Sequence, residues 1–220
     1  MTSRIAFVEI ARTAEVLARI PASDSTWLSD SEQARVATLK IDARRDHYLA
    51  GHWLARELLS WAFGETPAYW SLQERKSLAP KVMNGDQEIQ ISISHSGDWI
   101  AIAVANVMIG IDIEQRPRQL DASIETLLLN ADEMPGSLDN DALLQRWIAK
   151  EAWIKARAGT ALPAQLKNLQ LNPVPIECAE VQIHTHEKFH FALATAPGNT
   201  TIKWGALPMH AGAMYRVTNS

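Results

Sequence analysis

Between residues 89 and 115 the chain carries three short apolar-alternating runs in succession, and no other stretch limits its fold so strongly. Ile89, Ile91 and Ile93 alternate with Gln90, Ser92 and Ser94. Trp99 to Ala105 (WIAIAVA) and Ile109 to Gln115 (IGIDIEQ) follow after short connections. A period of two in β-branched residues is the pattern of a half-buried strand. The first two runs, joined by His95-Ser96-Gly97-Asp98, predict a hairpin with a four-residue connection. In the third run Asp112 and Glu114 share one strand face, with about 7 Å of rise between them. Two like charges so placed on an isoleucine strand repel each other and are costly to bury unless something compensates.

Around this region the sequence predicts a strand over 4–10 and helices over 30–39 and 43–63, the latter stopped by Gly64. Residues 65–88 are mixed, with a turn at Asn84-Gly85. Residues 121–130 form a candidate helix and 131–140 a loop. A strong helix runs over 141–158, opened by Asp141 as a capping residue and closed by Gly159. Strand-like pieces lie near Ile183, over 189–193 and over 202–207. The halves share a coarse order of strand, helix and hairpin-like strands, which hints at a duplicated α+β unit.

The chain has 220 residues, enough for one large domain or two small ones. Its net charge of −4 gives no sign of a nucleic-acid binder. A single cysteine, Cys178, excludes an internal disulfide and fits a reducing compartment. The N-terminus lacks a signal-peptide core, and the longest charge-free apolar stretch, Trp99 to Ile111, is too short for a bilayer. The expectation is a cytoplasmic protein without a membrane segment.

Three stretches are candidates for chemistry, each with a plainer reading beside it. Asp112 and Glu114 are either a solvated acidic edge or two oxygen ligands for a hard divalent cation such as Mg²⁺. In RWIAKEAWIKARAG (146–159), Leu144, Trp147, Ile148, Glu151 and Lys155 fall on one helical stripe, while Lys150 and Arg157 point elsewhere. Glu151 and Lys155 are either a surface i,i+4 pair or a further metal ligand and a cation for a phosphate. In ISISHSG (91–97), Ser94, His95, Ser96 and Gly97 are either a hairpin turn or an anion site at a strand end. Arg35 and the run KIDARR (40–45) are a solvated basic face unless a polyanionic ligand is established elsewhere. There is no GxSxG, CxxC, HExxH or Walker loop.

Taken in order, Ser94-His95-Ser96-Gly97, Gly110-Ile111-Asp112-Ile113-Glu114 and Trp147-Ile148-Ala149-Lys150-Glu151-Ala152-Trp153-Ile154-Lys155 resemble the signature of the 4′-phosphopantetheinyl transferases, in their surfactin-synthetase-type branch. The match in spacing and order covers roughly residues 35–160. The resemblance implies an α+β pseudo-dimer of two similar halves, 1–107 and 108–220. Each half would be a small, mostly antiparallel sheet packed with a long helix, and the active site would lie in the cleft between them. It implies transfer of the phosphopantetheine arm of coenzyme A to a serine of an apo carrier protein (acyl, polyketide or peptidyl), releasing adenosine 3′,5′-bisphosphate. Carried onto this chain, Asp112, Glu114 and Glu151 would hold Mg²⁺, with Mn²⁺ as a substitute. Glu151 and Lys155 would be catalytic, and Lys155, His95, Ser94, Arg44 and Arg45 would bind coenzyme A. The partners implied are coenzyme A and the carrier, without nucleic acid or membrane, and a monomer would suffice.

Two departures stand out. Where many relatives carry Gly-Lys-Pro before the Ser-His-Ser strand, this chain has Leu78-Ala79-Pro80, with Lys76 and Lys81 nearby. Where many have an arginine, this helix has His52, which leaves Arg44 or Arg45 to meet the 3′-phosphate. Two readings of other classes compete: a non-catalytic binder of carriers or nucleotides, and a metal-dependent phosphohydrolase.

Overall fold

The computed structural model of the chain describes residues 3–21, 27–76, 78–85, 88–121, 123–130, 133, 138–157, 159 and 163–219. The expected loop over 131–140 lies largely outside them, as does residue 158, the expected end of the long helix. The fold is mixed α+β. It divides into two compact units, Met1–Val107 with Thr200–Pro208, and Met108–Asn199 with Met209–Ser220. Among the described residues no helix is long and apolar enough to cross a membrane.

In the first unit, β1 (Ile5–Arg12) leads through α1 (Thr13–Leu17) and α2 (Asp30–Thr38) to the long α3 (Asp42–Phe63). Ser29 opens α2 with a capping box: its hydroxyl takes the Glu32 N–H, and the Glu32 carboxylate takes the Ser29 N–H. Gly64, at φ +84°, ends α3 where a side chain would be strained. A two-stranded ribbon, β2 (Leu72–Arg75) and β3 (Leu78–Val82), precedes β4 (Gln90–Ser96) and β5 (Trp99–Ala105). The main sheet runs β10-β1-β5-β4, where β10 is Thr201–Trp204 and pairs parallel with β1. Residues 200–208 thus pack with the N-terminal chain and not with the half they follow in sequence.

The core of this unit lies between α3 and the sheet, built from Leu54, Leu58, Ile91, Ile100, Ile102 and Val104. Gly51 marks the close approach: a Cβ there would stand 3.1 Å from Ile100 Cδ1 and 3.3 Å from Ile93 Cγ2. Arg56 is fully buried, and Glu32 is buried with it at 2.8 and 2.7 Å. Removing either partner would strand a charge, at a cost of about 3–5 kcal/mol.

The hairpin is tighter than the sequence predicts. His95 pairs with Ile100 and Ser96 with Trp99, so only Gly97 and Asp98 form the turn. Gly97 adopts φ +54°, which permits a two-residue connection and lets the ladder close through Ser96. Serine reads as a turn former by type, but cross-strand pairing overrides that preference here.

In the second unit, β6 (Ile109–Gln115) is followed by α4 (Ser123–Leu128), α5 (Asn140–Ala156) and α6 (Pro163–Leu166). Then come β7 (Leu169–Pro173), β8 (Val181–Thr185), β9 (Phe189–Thr195) and β11 (Ala211–Asn219). The sheet order is β6-β9-β8-β11-β7, antiparallel throughout. Helix α5 lies across β6, β9 and β8, burying Ile148, Ala149 and Ala152 against Ile183, Ala192 and Ala194. Its N-cap is Asp139, whose carboxylate takes the Ala142 N–H at 2.7 Å. Asp141, expected as the cap, sits instead in the first turn. It takes two hydrogen bonds from Arg116, both at 2.9 Å, and lies 2.9 Å from His190 Nε2.

Candidate active site

One glycine decides how helix α5 meets strand β6. A Cβ at Gly110 would stand 2.1 Å from the Ala152 carbonyl oxygen and 2.3 Å from the Ala156 nitrogen. The helix backbone therefore rests directly on the strand backbone, and Ala152 and Ala156, four apart, keep that helix face low. Strand alternation puts Gly110, Asp112 and Glu114 on the same face. Where the helix sits on Gly110, its next side chains along the strand are Glu151 and Lys155. The same contact that closes the core thus delivers a carboxylate and an ammonium to the acidic pair.

The resulting cluster is tight. Lys155 Nζ donates to Asp112 Oδ1 at 2.6 Å and lies 3.8 Å from Glu151 Oε2. Arg118 forms an ion pair with Glu114, and its guanidinium lies 5.8 Å from the Trp147 ring centre. Asp112 and Glu114 are buried, at 3% and 9% exposure. The Trp147 indole donates to Glu151. Burial first, and then the charge of Asp112, push the Glu151 carboxyl up to about 7, with Lys155 pulling against them and Glu114 adding to the rise. For Lys155, burial disfavours the ammonium, but Asp112, Glu151 and Glu114 outweigh it, and its pKa is raised. At neutral pH the cluster therefore holds a firmly charged ammonium and one carboxyl poised between its two states.

Asp112, Glu114 and Glu151 were expected as metal ligands. Among the described residues, no group of three or more His, Cys, Asp or Glu side chains is gathered closely enough to hold a metal ion. In its place the chain's own cations lie against the carboxylates. The donor set nevertheless has the chemistry of a hard-cation site: all oxygen and all acidic, with the charge of Asp112 adding to burial in raising Glu151.

The other expected residues lie in the first unit. Ser94 is buried on β4, and His95, on the opposite face, is exposed. Arg44 and Arg45 occupy the first turns of α3, Arg44 exposed and Arg45 donating to the Leu39 carbonyl at 3.0 Å. His52, the departure noted in the sequence, is buried, with Nδ1 2.6 Å from Glu32 and its ring stacked on Tyr48.

Two neighbours escaped the sequence reading. His47 stacks flat on His95, ring centres 4.4 Å apart, and its Nε2 lies 2.9 Å from the Gly97 carbonyl. A carbonyl only accepts, so His47 Nε2 carries a proton. The spacing held a signal: His47 and Gly51 are one helical turn apart, as Ile93 and His95 are two strand positions apart. The Gly51–Ile93 contact therefore continues as His47–His95. Arg118 lies four residues past Glu114, beyond the strand, where no period points to it. Lys150, expected to point away from the stripe, is fully buried and donates to Glu133 at 2.5 Å and to the Leu128 carbonyl at 2.6 Å.

Residues 108–203 match the family model of the 4′-phosphopantetheinyl transferase superfamily. The 4′-phosphopantetheinyl transferase psf-1 of Bacillus pumilus is 32% identical over 121 residues, covering 52% of this chain and 50% of that protein. The chain thus spans about half the length of this curated relative. A solved structure, the apo-ACPS of Chronobacterium ammoiniagenes, matches at 21% identity and a TM-score of 0.37, covering 47% of this chain and 95% of that one. Asp112, Glu114, Glu151 and Lys155 all lie inside the segment 108–203 that matches the superfamily's model.

Proposed function

We propose that the protein transfers the 4′-phosphopantetheine arm of coenzyme A to a serine of an apo carrier protein, as the surfactin-synthetase-type members of the superfamily do. The observation that carries this reading is the cluster of Asp112, Glu114, Glu151 and Lys155 at the β6–α5 contact, inside the matched segment. The serine oxygen attacks the phosphorus that bears the pantetheine arm. The bond from that phosphorus to the bridging oxygen breaks, and adenosine 3′,5′-bisphosphate leaves.

Each residue has a role that follows from its surroundings. Glu151, brought to the acidic pair by the β6–α5 contact, is the candidate to take the serine proton as the oxygen attacks. Lys155 is held charged by three carboxylates and is suited to neutralise the charge that develops on the leaving bisphosphate. Mg²⁺, or Mn²⁺ in its place, held by Asp112, Glu114 and Glu151, would act as Lewis acid and template for the diphosphate. In the first unit, His95 with its ring fixed against His47 is the candidate contact for a nucleotide phosphate, helped by Ser94, Arg44 and Arg45. Positioning and electrostatics account for the rate, as in other phosphoryl-type transfers.

Coenzyme A labelled in the pantetheine arm, incubated with the protein, Mg²⁺ and an apo carrier, tests this directly. Transfer places the label on the carrier serine. Label released to water indicates a phosphohydrolase, and label that stays on coenzyme A indicates a binder; either result overturns the proposal.

A further inference from the structure

The carboxylates of β6 already have counter-charges from the chain itself. Lys155 Nζ stands 2.6 Å from Asp112, and Arg118 is in ion-pair contact with Glu114. Burying negative charge this deeply is costly unless positive charge lies beside it. Two resident single charges equal one divalent charge, so either arrangement balances the pair. Both cations also sit where they can leave. Lys155 is in the last turn of α5 with its side chain 28% exposed, and the Arg118 side chain is 41% exposed. Both are long, flexible chains that can swing to solvent without moving a backbone. The contrast is the Lys150–Glu133 pair on the same helix. It is 0% and 4% exposed, and its ammonium is also tied to the Leu128 carbonyl, so it is a fixed structural pair.

We propose that Lys155 and Arg118 are placeholders for the divalent cation: they neutralise Asp112 and Glu114 while the cation is absent, and its arrival releases both toward an anionic ligand. The inference rests on the proposed transferase reading and deepens it, since the released ammonium is the group assigned to the diphosphate. Cation binding then presents positive charge that was internally spent, and the polyanion in turn holds Lys155 off Asp112. Each ligand therefore favours the other, by the same factor in both directions. The free protein should bind the cation weakly, because two internal charges compete with it.

Mn²⁺ binding to the free protein, followed by electron paramagnetic resonance without coenzyme A, tests this apart from turnover. Lys155→Met, Lys155→Gln and Arg118→Gln should each bind Mn²⁺ at least about fivefold more tightly than wild type, and a double variant more tightly still. Unchanged or weaker binding in the variants overturns the placeholder role while leaving the cation site in place. No Mn²⁺ binding to wild type even with coenzyme A present overturns the cation assignment itself. A measurement without substitutions guards against misfolded variants: reductive methylation of Lys155 in wild type, read by mass spectrometry. Methylation should be slow in chelator and fast with Mg²⁺; equal rates overturn the proposal.

Discussion

Replacing Gly110 by alanine should separate the site from its scaffold. The added methyl would stand 2.1 Å from the Ala152 oxygen and 2.3 Å from the Ala156 nitrogen, while ordinary contact begins near 3.4 Å. Both neighbours are helix backbone, so no side chain can turn aside to make room. The helix must lift from β6 by more than ~1 Å, opening the packing of Ala149, Ala152 and Ile148 over the sheet. Overpacking ordinarily costs about 1–3 kcal/mol, and with no flexible neighbour the loss should reach at least ~3 kcal/mol. For a chain of this size that lowers the melting temperature by roughly 6–12 °C. A displacement of ~1 Å at reacting groups is also worth about 100-fold in rate, so turnover should fall even where the protein stays folded. Gly51→Ala is the control. Its methyl would meet only side-chain tips at 3.1 and 3.3 Å, and alanine is the better helix former by about 1 kcal/mol. Its stability should stay within about 1 kcal/mol of wild type. Calorimetry and denaturant unfolding on the three proteins decide the matter. A Gly110→Ala protein as stable and active as Gly51→Ala would refute the claim that backbone contact at β6 positions Glu151 and Lys155.

Three further outcomes are expected. Lys155→Met should cut turnover by roughly 10²–10³, the scale for losing one preorganised donor, with Lys155→Arg intermediate because a planar fork replaces a compact ammonium; equal turnover in all three would remove Lys155 from the chemistry. His95→Ala should weaken coenzyme A binding by about 1.5–3 kcal/mol in calorimetry while slowing the chemical step less, and unchanged affinity would return the His47–His95 stack to a structural role. In the metal-free protein Glu151 keeps its proton up to about pH 7, whereas the unfolded carboxyl loses it near 4.5. Folding therefore takes up a proton between those values, and stability should fall as pH rises through that window, by up to about 3 kcal/mol. Glu151→Gln should flatten the slope in denaturant titrations with chelator, and an unchanged slope would mean that another group causes it.

Much of this was legible in the sequence, for identifiable reasons. The runs 89–94, 99–105 and 109–115 announced strands because β-branched residues at period two leave little else to form. The long helices were legible from apolar spacing, and the end of α3 from Gly64; α5 stops at Ala156 with Arg157 as its C-cap, short of the expected Gly159. Pairing over distance was not legible. The sequence sets Lys155 beside Glu151, one turn away, yet Asp112 is the nearer partner, 2.6 Å against 3.8 Å. That preference depends on how low α5 sits on β6, which only the contact at Gly110 fixes. Residues 201–204 carry an ordinary strand pattern, and nothing local marks them as partners of β1. Lys150 reads as a surface residue because its partner Glu133 lies in a stretch without a period. Arg118 and His47 belong to no signature; their meaning comes from Glu114 and His95, which they touch.

The central claim is that the acidic pair on β6 serves phosphopantetheine transfer, and intact-mass analysis of an apo carrier protein tests it most directly. The carrier is incubated with coenzyme A, Mg²⁺ and either wild type or Asp112→Asn, a substitution that keeps the shape of the side chain and removes its charge. Wild type should add the mass of one phosphopantetheine per carrier and release one equivalent of adenosine 3′,5′-bisphosphate, while Asp112→Asn, folded to the same extent, should add it at least about 10–100-fold more slowly. A carrier modified equally fast by both proteins, or by neither, would contradict the account.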